Sequence, residues 1–151
     1  MSMKVLSRLR SGFTLPEVLL SVALLGMIGG MIIPMYRTFM VRNDLDVATV
    51  TLVHNLRRAQ SLSQSADGDM TWGVHVGVGS ILVYKGSSYV LRDVNYDENT
   101  SIPKTITLGG LTEITFSKVV GVPSATGTVQ FTSQANETRN ITINEKGMVD
   151  F

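Results

Sequence analysis

Residues 13–36 read FTLPEVLLSVALLGMIGGMIIPMY, and Glu17 is the only charged side chain among them. A helix of this length extends about 36 Å, which exceeds the hydrocarbon core of a bilayer at about 30 Å. The stretch therefore predicts a single membrane-spanning helix.

The charges on either side of this stretch predict its orientation. Residues 1–12 contain three cations and no acid, whereas residues 37–46 contain two arginines and two aspartates. Because cytoplasmic flanks carry the excess of Lys and Arg, we expect a single-pass protein of the cytoplasmic (inner) membrane. The bulk of the chain would then lie outside the cytoplasm.

A secretory signal peptide is the alternative interpretation of the same segment. Ser21, Val22 and Ala23 offer a small-x-small cleavage site. Cleavage there would leave only residues 13–20 as the apolar region, short and interrupted by Glu17, which disfavours this interpretation.

Glu17 needs a physical explanation in an apolar helix. A carboxylate within a membrane span costs about 2.5–3.5 kcal/mol on insertion scales. The side chain either stays near enough to the interface to remain hydrated or has a partner.

Residues 11–17, SGFTLPE, carry a family resemblance. A short basic leader ends in Gly12, Phe13 and Thr14 follow, and Glu17 is the fifth residue after the glycine. This order, followed by a long apolar run, resembles the class III signal of type IV prepilins and type II secretion pseudopilins. Ser11 departs from the Lys or Arg that commonly precedes the glycine.

The resemblance implies roles for three residues. A prepilin peptidase would cut between Gly12 and Phe13 and leave 1–12 as a cleaved leader, and the new Phe13 amine would be N-methylated. Glu17 of one subunit would pair with the Phe13 amine of its neighbour during assembly. The implied partners are the peptidase, other pilins or pseudopilins, and an inner-membrane assembly platform.

Gly26 and Gly30 have the G-x-x-x-G spacing that allows close helix packing. Apolar spans are often rich in glycine, so composition alone is the alternative explanation.

Helical periodicity continues through residues 37–66. Apolar residues recur every three or four positions, at Val41, Leu45, Ala48, Leu52, Leu56, Ala59 and Leu62. This spacing predicts one amphipathic helix to about Ala66. We expect most of its apolar face to pack on its own domain and the lower part to contact a filament.

After the turn at residues 67–69 the pattern changes to short strands separated by turn residues. We predict strands over 71–78, 81–85, 88–94, 105–108, 112–117, 128–133, 139–144 and 148–151, with turns at Gly79, Gly86, Gly109-Gly110 and 145–147. Residues 95–104 are predicted to form an exposed polar loop. A helix followed only by strands predicts an α+β fold, a pilin-like long helix packed against an antiparallel β domain.

The second half also resembles a family, the GspH/FimT-like minor pilins and pseudopilins. The similar segments are LRRAQ at 56–60, WGV at 72–74, ITF at 114–116, GTV at 127–129 and ITINEKGMV at 141–149. The resemblance implies that residues 67–151 form a GspH/FimT-like globular domain.

The composition disfavours catalysis and metal binding. The chain has no cysteine and only two histidines, and it lacks phosphate-cradle and nucleophile-elbow motifs. We therefore expect no enzyme activity, no cofactor and no metal site.

Nucleic acid is not favoured as a partner either. Residues 67–151 carry six basic and nine acidic residues, a net charge of −3. Arg139 and Lys146 are the only candidates for DNA contact that we single out.

The sequence predicts a structural subunit, a minor pilin or pseudopilin that moves from the membrane into a pilus or pseudopilus at the cell surface. The alternatives are a major pilin of a long fibre, a DNA-uptake minor pilin, or an anchored DNA-binding or enzymatic domain. Type II secretion, type IV pilus and competence systems share the same leader.

Overall fold

The computed structural model describes residues 12–151, apart from the side chains of 31–35 and 37. The leader cations Lys4, Arg8 and Arg10 lie outside the described residues. The chain divides into two compact units, Met1–Thr38 and Phe39–Phe151.

Helix α1 covers Leu15–Gln64 and contributes residues to both units. Ala66 follows it in the left-handed region at φ 53°, and a 3₁₀ turn occupies Asp67–Asp69. The predicted helix end and the predicted turn are therefore confirmed to within two residues.

Eight strands follow in two four-stranded antiparallel sheets. The first sheet has the order β3-β2-β1-β5 and the second β4-β6-β7-β8. Their bounds are β1 Trp72–Gly77, β2 Ser80–Lys85, β3 Asp93–Ser101, β4 Thr107–Gly110, β5 Glu113–Phe116, β6 Gly127–Thr132, β7 Thr138–Ile143 and β8 Val149–Asp150.

The predicted strand at 88–94 and loop at 95–104 are wrong. Residues 86–92 form the connection, and Asp93–Ser101 is strand β3, paired with β2 from Ser80↔Ser101 to Lys85↔Asp93. β3 lies at the edge of its sheet and most of its side chains are exposed, so it lacks the alternating apolar pattern of a half-buried strand. Hydrogen bonding to β2 overrides its polar composition.

The predicted turn at Gly109-Gly110 is also wrong. Both glycines end strand β4 and pair with Gln130 and Val129 of β6. Gly110 has φ 79°, and a Cβ there would lie 3.1 Å from the Thr128 carbonyl carbon. Close backbone approach within a sheet, rather than a turn, accounts for glycine at this position.

A single core joins the second part of α1 to both sheets. Leu45, Ala48, Leu52, Leu56 and Ala59 are fully buried, as the helical spacing predicts. They share one cluster with residues of both sheets, among them Val74, Val83, Ile114, Val129, Phe131 and Ile141. The α+β prediction is confirmed.

The outer face of the first sheet has its own close contact. Gly73 of β1 lies opposite Tyr84 of β2, and a Cβ at Gly73 would come within 2.6 Å of the Tyr84 ring. The glycine therefore leaves the space that the buried tyrosine occupies.

Candidate functional site

The beginning of α1 contains one half of a capping box. The Thr14 carbonyl accepts hydrogen bonds from the amides of Glu17 at 3.0 Å and Val18 at 3.1 Å. The Thr14 amide in turn donates to Glu17 Oε2 at 3.5 Å. The Glu17 amide bonds the Thr14 carbonyl and not its hydroxyl, so among the described residues only the Glu17 half of a Thr-x-x-Glu capping box is formed. A carboxylate in the first turn is also favoured by the helix dipole. Within a single subunit, Glu17 thus stabilises its own helix start.

Glu17 and the predicted cleavage site lie on the same surface. Gly12, Phe13, Thr14 and Glu17 line a recess of about 380 Å³. Phe13 is 82% exposed, and among the described residues a Cβ added at Gly12 would meet nothing within 4 Å. The structure brings together the three residues that the sequence singled out.

The residues after Glu17 form a continuous apolar surface without cover from the described chain. The large apolar side chains from Leu15 to Ile28 are half to three-quarters exposed, among them Leu19, Leu20, Leu25 and Met27. Adding a Cβ to Gly26 or Gly30 would meet nothing within 4 Å. No contact in the described residues therefore requires glycine at either position.

Among the described residues, no helix combines the length and the hydropathy that define a candidate membrane span.

Three exposed ion pairs tie the second part of α1 to the β domain. Arg42 Nη2 lies 2.9 Å from Glu137 Oε1, Arg139 Nε lies 3.1 Å from Asp46 Oδ1, and Arg58 Nε lies 2.5 Å from Glu98 Oε2. Arg58 holds the pKa of Glu98 below its usual value, chiefly through this hydrogen bond. These ion pairs could not be predicted from the sequence, because their partners are 40 to 95 positions apart.

The two candidate DNA-contacting residues occupy different surroundings. The guanidinium of Arg139 already pairs with Asp46. Lys146 lies in the exposed turn before β8, where its carbonyl accepts a hydrogen bond from Gln60 Nε2 at 3.2 Å. The structure gives no contact between them within residues 12–151.

Ser63 connects α1 with the first sheet. Its Oγ accepts a hydrogen bond from the Trp72 amide at 2.9 Å and donates to the Phe116 carbonyl at 3.1 Å. Ser63 is fully buried, so this one hydroxyl serves two strands at the end of the helix. Ser63 follows the buried Ala59 by four residues and therefore lies on the same face of α1. This spacing was the available signal, and the sequence analysis did not use it.

A polar and aromatic cluster on the first sheet was also missed. The rings of His75 and Tyr89 stack at 3.9 Å, and Glu113 Oε1 accepts hydrogen bonds from the Tyr84 hydroxyl and the Tyr89 amide, each at 2.7 Å. Arg92 covers the other side of Tyr89 at 4.1 Å and pairs with Asp97.

This cluster perturbs two titrating groups. Burial lowers the pKa of His75, an effect that Glu113 opposes and Arg92 reinforces. Burial and the bond to Glu113 raise the pKa of Tyr84 above its usual range. His75 Nδ1 is buried without a partner in the described structure, which fits a neutral imidazole. Through Tyr89 and Arg92, the cluster attaches the connection at residues 86–92 to the first sheet.

No group of three or more His, Asp or Glu side chains within residues 12–151 is arranged to hold a metal ion.

Comparisons with known proteins address both parts of the chain. Residues 7–33 match the family described as Prokaryotic N-terminal methylation motif. No curated protein matches the sequence.

Among solved structures, the fold is similar to the minor pseudopilin EpsH from the Type 2 Secretion System of Vibrio cholerae. The TM-score is 0.52 at 10% identity, over 71% of this chain and 94% of that one. At this identity the likeness shows the fold alone. The comparisons thus give an N-terminal methylation motif at residues 7–33 and a fold similar to that of a minor pseudopilin.

Proposed function

We propose that the protein is a GspH/FimT-like minor pilin or pseudopilin. It is made in the inner membrane with its β domain outside the cytoplasm, is cut by a prepilin peptidase between Gly12 and Phe13, and joins a filament through α1. The observation that carries the proposal is the methylation motif at residues 7–33. The exposure of Phe13, and the recess that it lines together with Gly12 and Glu17, support it.

The chemistry of Glu17 supports assembly through this end of the helix. After cleavage, the Phe13 amine is a cation at the start of an apolar surface, and Glu17 is the only acid of residues 13–36. Among the described residues of the single subunit, its carboxylate accepts only the long hydrogen bond from the Thr14 amide and remains able to accept stronger donors. An amine from a neighbouring subunit would neutralise it, which makes burial of both charges tolerable.

The exposed apolar residues from Leu15 to Ile28 support the same proposal. Soluble monomers rarely expose apolar patches larger than a few hundred Å², and larger ones mark protein or membrane contacts. A subunit that waits in a membrane and then packs beside other helices uses the same surface in both states. Gly26 and Gly30 would allow close approach in the second state.

Intact mass of the membrane-extracted protein, coexpressed with a prepilin peptidase, tests the proposal. We expect the wild type to lose residues 1–12 and gain one methyl group on Phe13. Gly12→Val should remain full length, because a branched side chain obstructs backbone approach at the cut. An uncut wild type, or a cut after Ala23, would contradict the proposal.

Glu17→Gln separates processing from assembly in the same cells. We expect normal cleavage but at least a tenfold lower yield in the sheared filament fraction, since an unpaired buried charge costs about 3–5 kcal/mol. Glu145→Gln removes an exposed carboxylate and serves as the matched control. Equal filament yields for the two variants would remove Glu17 from the assembly step.

A further inference from the structure

The connection between β2 and β3 is a segment fixed at both ends. At its start, the Gly86 amide donates to the Thr71 carbonyl and the Thr71 hydroxyl donates to the Gly86 carbonyl, each at 2.8 Å. At its end, Asp93 of β3 pairs with Lys85 of β2. The ends therefore keep their places in the sheet whether or not the residues between them are bound to it.

Tyr89 binds the middle of the connection to the first sheet. Its ring stacks on His75 of β1 at 3.9 Å, and its amide donates to Glu113 Oε1 of β5 at 2.7 Å. Arg92 lies over the same ring and donates from Nη1 to the Tyr89 carbonyl at 2.8 Å. We call these interactions the Tyr89 contacts.

The Tyr89 contacts accommodate His75 poorly as a cation. Its Nδ1 is buried and has no hydrogen-bond partner among the described residues. Tyr89 covers one face of the imidazole, and Arg92 places a positive charge on the far side of that ring. Burial is the main cause that lowers the pKa of His75, and Arg92 adds to it. The closed connection therefore favours the neutral imidazole.

Glu113 faces His75 whether the connection is closed or open. The two residues are directly opposite in the antiparallel pairing of β1 with β5, which places their Cβ atoms about 4.5–5.5 Å apart. In the closed connection, Glu113 Oε1 already accepts hydrogen bonds from the Tyr84 hydroxyl and the Tyr89 amide. An imidazolium at His75 competes with both donors for this carboxylate.

The other groups around His75 keep their charge near neutral pH. Leu82 of β2, which pairs with His75 on the other side of β1, is apolar. Burial and Glu113 raise the pKa of Tyr84, so its hydroxyl stays protonated. Asp97 of β3 pairs with Arg92. His75 is therefore the residue of this cluster whose ordinary pKa lies between about pH 5 and 8.

We propose that the Tyr89 contacts are a pH-sensitive latch, in which protonation of His75 releases residues 87–92 from the first sheet while the β domain stays folded. Release exposes the imidazole to water and moves Arg92 away from it. Glu113 stays opposite His75 and becomes free to pair with the imidazolium. Each change favours the proton in the open form, so acid shifts the equilibrium toward opening.

The released segment carries Val90, which is 85% exposed, and Leu91, which is 72% exposed. Opening therefore moves an apolar pair on the surface of the β domain. The use of this latch by a cell rests on the proposed location of the β domain outside the cytoplasm, where the protein meets the pH of its surroundings.

Hydrogen exchange of the full chain in detergent tests the latch, with amides followed by NMR and rates corrected for the pH dependence of intrinsic exchange. Between about pH 7.5 and about pH 5.5, protection of the Tyr89 amide should fall by about fivefold or more. Val129 and Phe131 of β6 are fully buried and should keep their protection. The imidazole protons of His75 report its titration in the same samples, and opening should follow that titration.

Two histidine variants assign the effect. His75→Phe keeps a ring against Tyr89 but binds no proton, so the Tyr89 amide should be equally protected at both pH values. His54→Phe replaces an exposed histidine of α1 and should open like the wild type. If His75→Phe does not protect β6, the coincidence of opening with the His75 titration in the wild type decides alone.

Three results would overturn the latch: unchanged protection of the Tyr89 amide across the His75 titration, opening retained in a folded His75→Phe variant, or simultaneous loss of protection in β6. Cleavage after Gly12, measured by intact mass, does not depend on these results. The latch can therefore fail while the processed subunit stands, and an uncut chain with a working latch would contradict the proposed function alone.

Discussion

Helix α1 contains two apolar regions that the chain treats differently. Between Leu15 and Ile28 the large side chains are at least about half exposed, whereas Leu45, Leu52 and Leu56 are fully buried under two sheets. The residue types are similar, so composition does not distinguish them. The difference is that the second region repeats on one face of the helix and the first is apolar around its circumference. The β domain covers the apolar face of the second region. The described chain leaves the apolar side chains of the first region uncovered.

The largest expected effect is the difference in stability between truncating a leucine in the buried region and truncating one in the exposed region. Leu56→Ala should lower the free energy of unfolding by about 2–5 kcal/mol, because it removes a fully buried side chain and leaves a cavity. Leu24→Ala, at a 52% exposed site, should leave it unchanged. Guanidinium titration of the full chain in detergent, followed by the fluorescence of Trp72, measures both.

Trp72 suits this measurement because it is the only tryptophan of the chain and is 3% exposed in the β domain. If Leu24→Ala destabilised the β domain as much as Leu56→Ala does, the contrast between the two regions would be lost.

A smaller effect should come from the hydroxyl at the end of the buried region. Ser63→Ala leaves the Trp72 amide and the Phe116 carbonyl without their buried partner, so we expect a loss of about 1–3 kcal/mol. Ser61→Ala, on the exposed side of the same helix turn, is the control. The same denaturant titration applies, and equal stability of the two variants would show that water replaces the Ser63 hydroxyl.

The smallest expected effect is a pH dependence within the β domain. Burial lowers the pKa of His75, so the unfolded chain binds a proton more readily than the folded one. Stability should therefore be highest above the unfolded pKa of about 6.5 and should fall as the pH drops below it.

Unfolding midpoints between pH 7.5 and about 5.5 measure this dependence across the unfolded pKa. His75→Phe keeps an aromatic ring against Tyr89 but cannot titrate, and should lose this part of the decline. His54→Phe changes an exposed histidine and should retain it. A decline that is unaltered by His75→Phe would assign the effect to other groups.

Periodicity predicted α1 and its buried face well, because helix spacing and burial follow the same repeat. It failed at β3, where pairing with β2 rather than an apolar pattern determines the strand. The amino-terminal site was accessible from sequence because its residues are consecutive. The ion pairs, the Ser63 bonds and the stack of His75 on Tyr89 were not, since each depends on residues that are distant in the chain and adjacent only after folding.

The contact between Gly73 and Tyr84 has an evolutionary consequence. The tyrosine ring occupies the volume that any larger side chain at position 73 would need, and its hydroxyl is fixed by Glu113. The Thr115 Cγ2 would also lie 2.8 Å from a Cβ at this position, so position 73 cannot gain a side chain while Tyr84 and Thr115 stay in place. Among descendants of this sequence, a side chain gained at 73 should be accompanied by smaller residues at 84 and 115, so these columns of an alignment would covary.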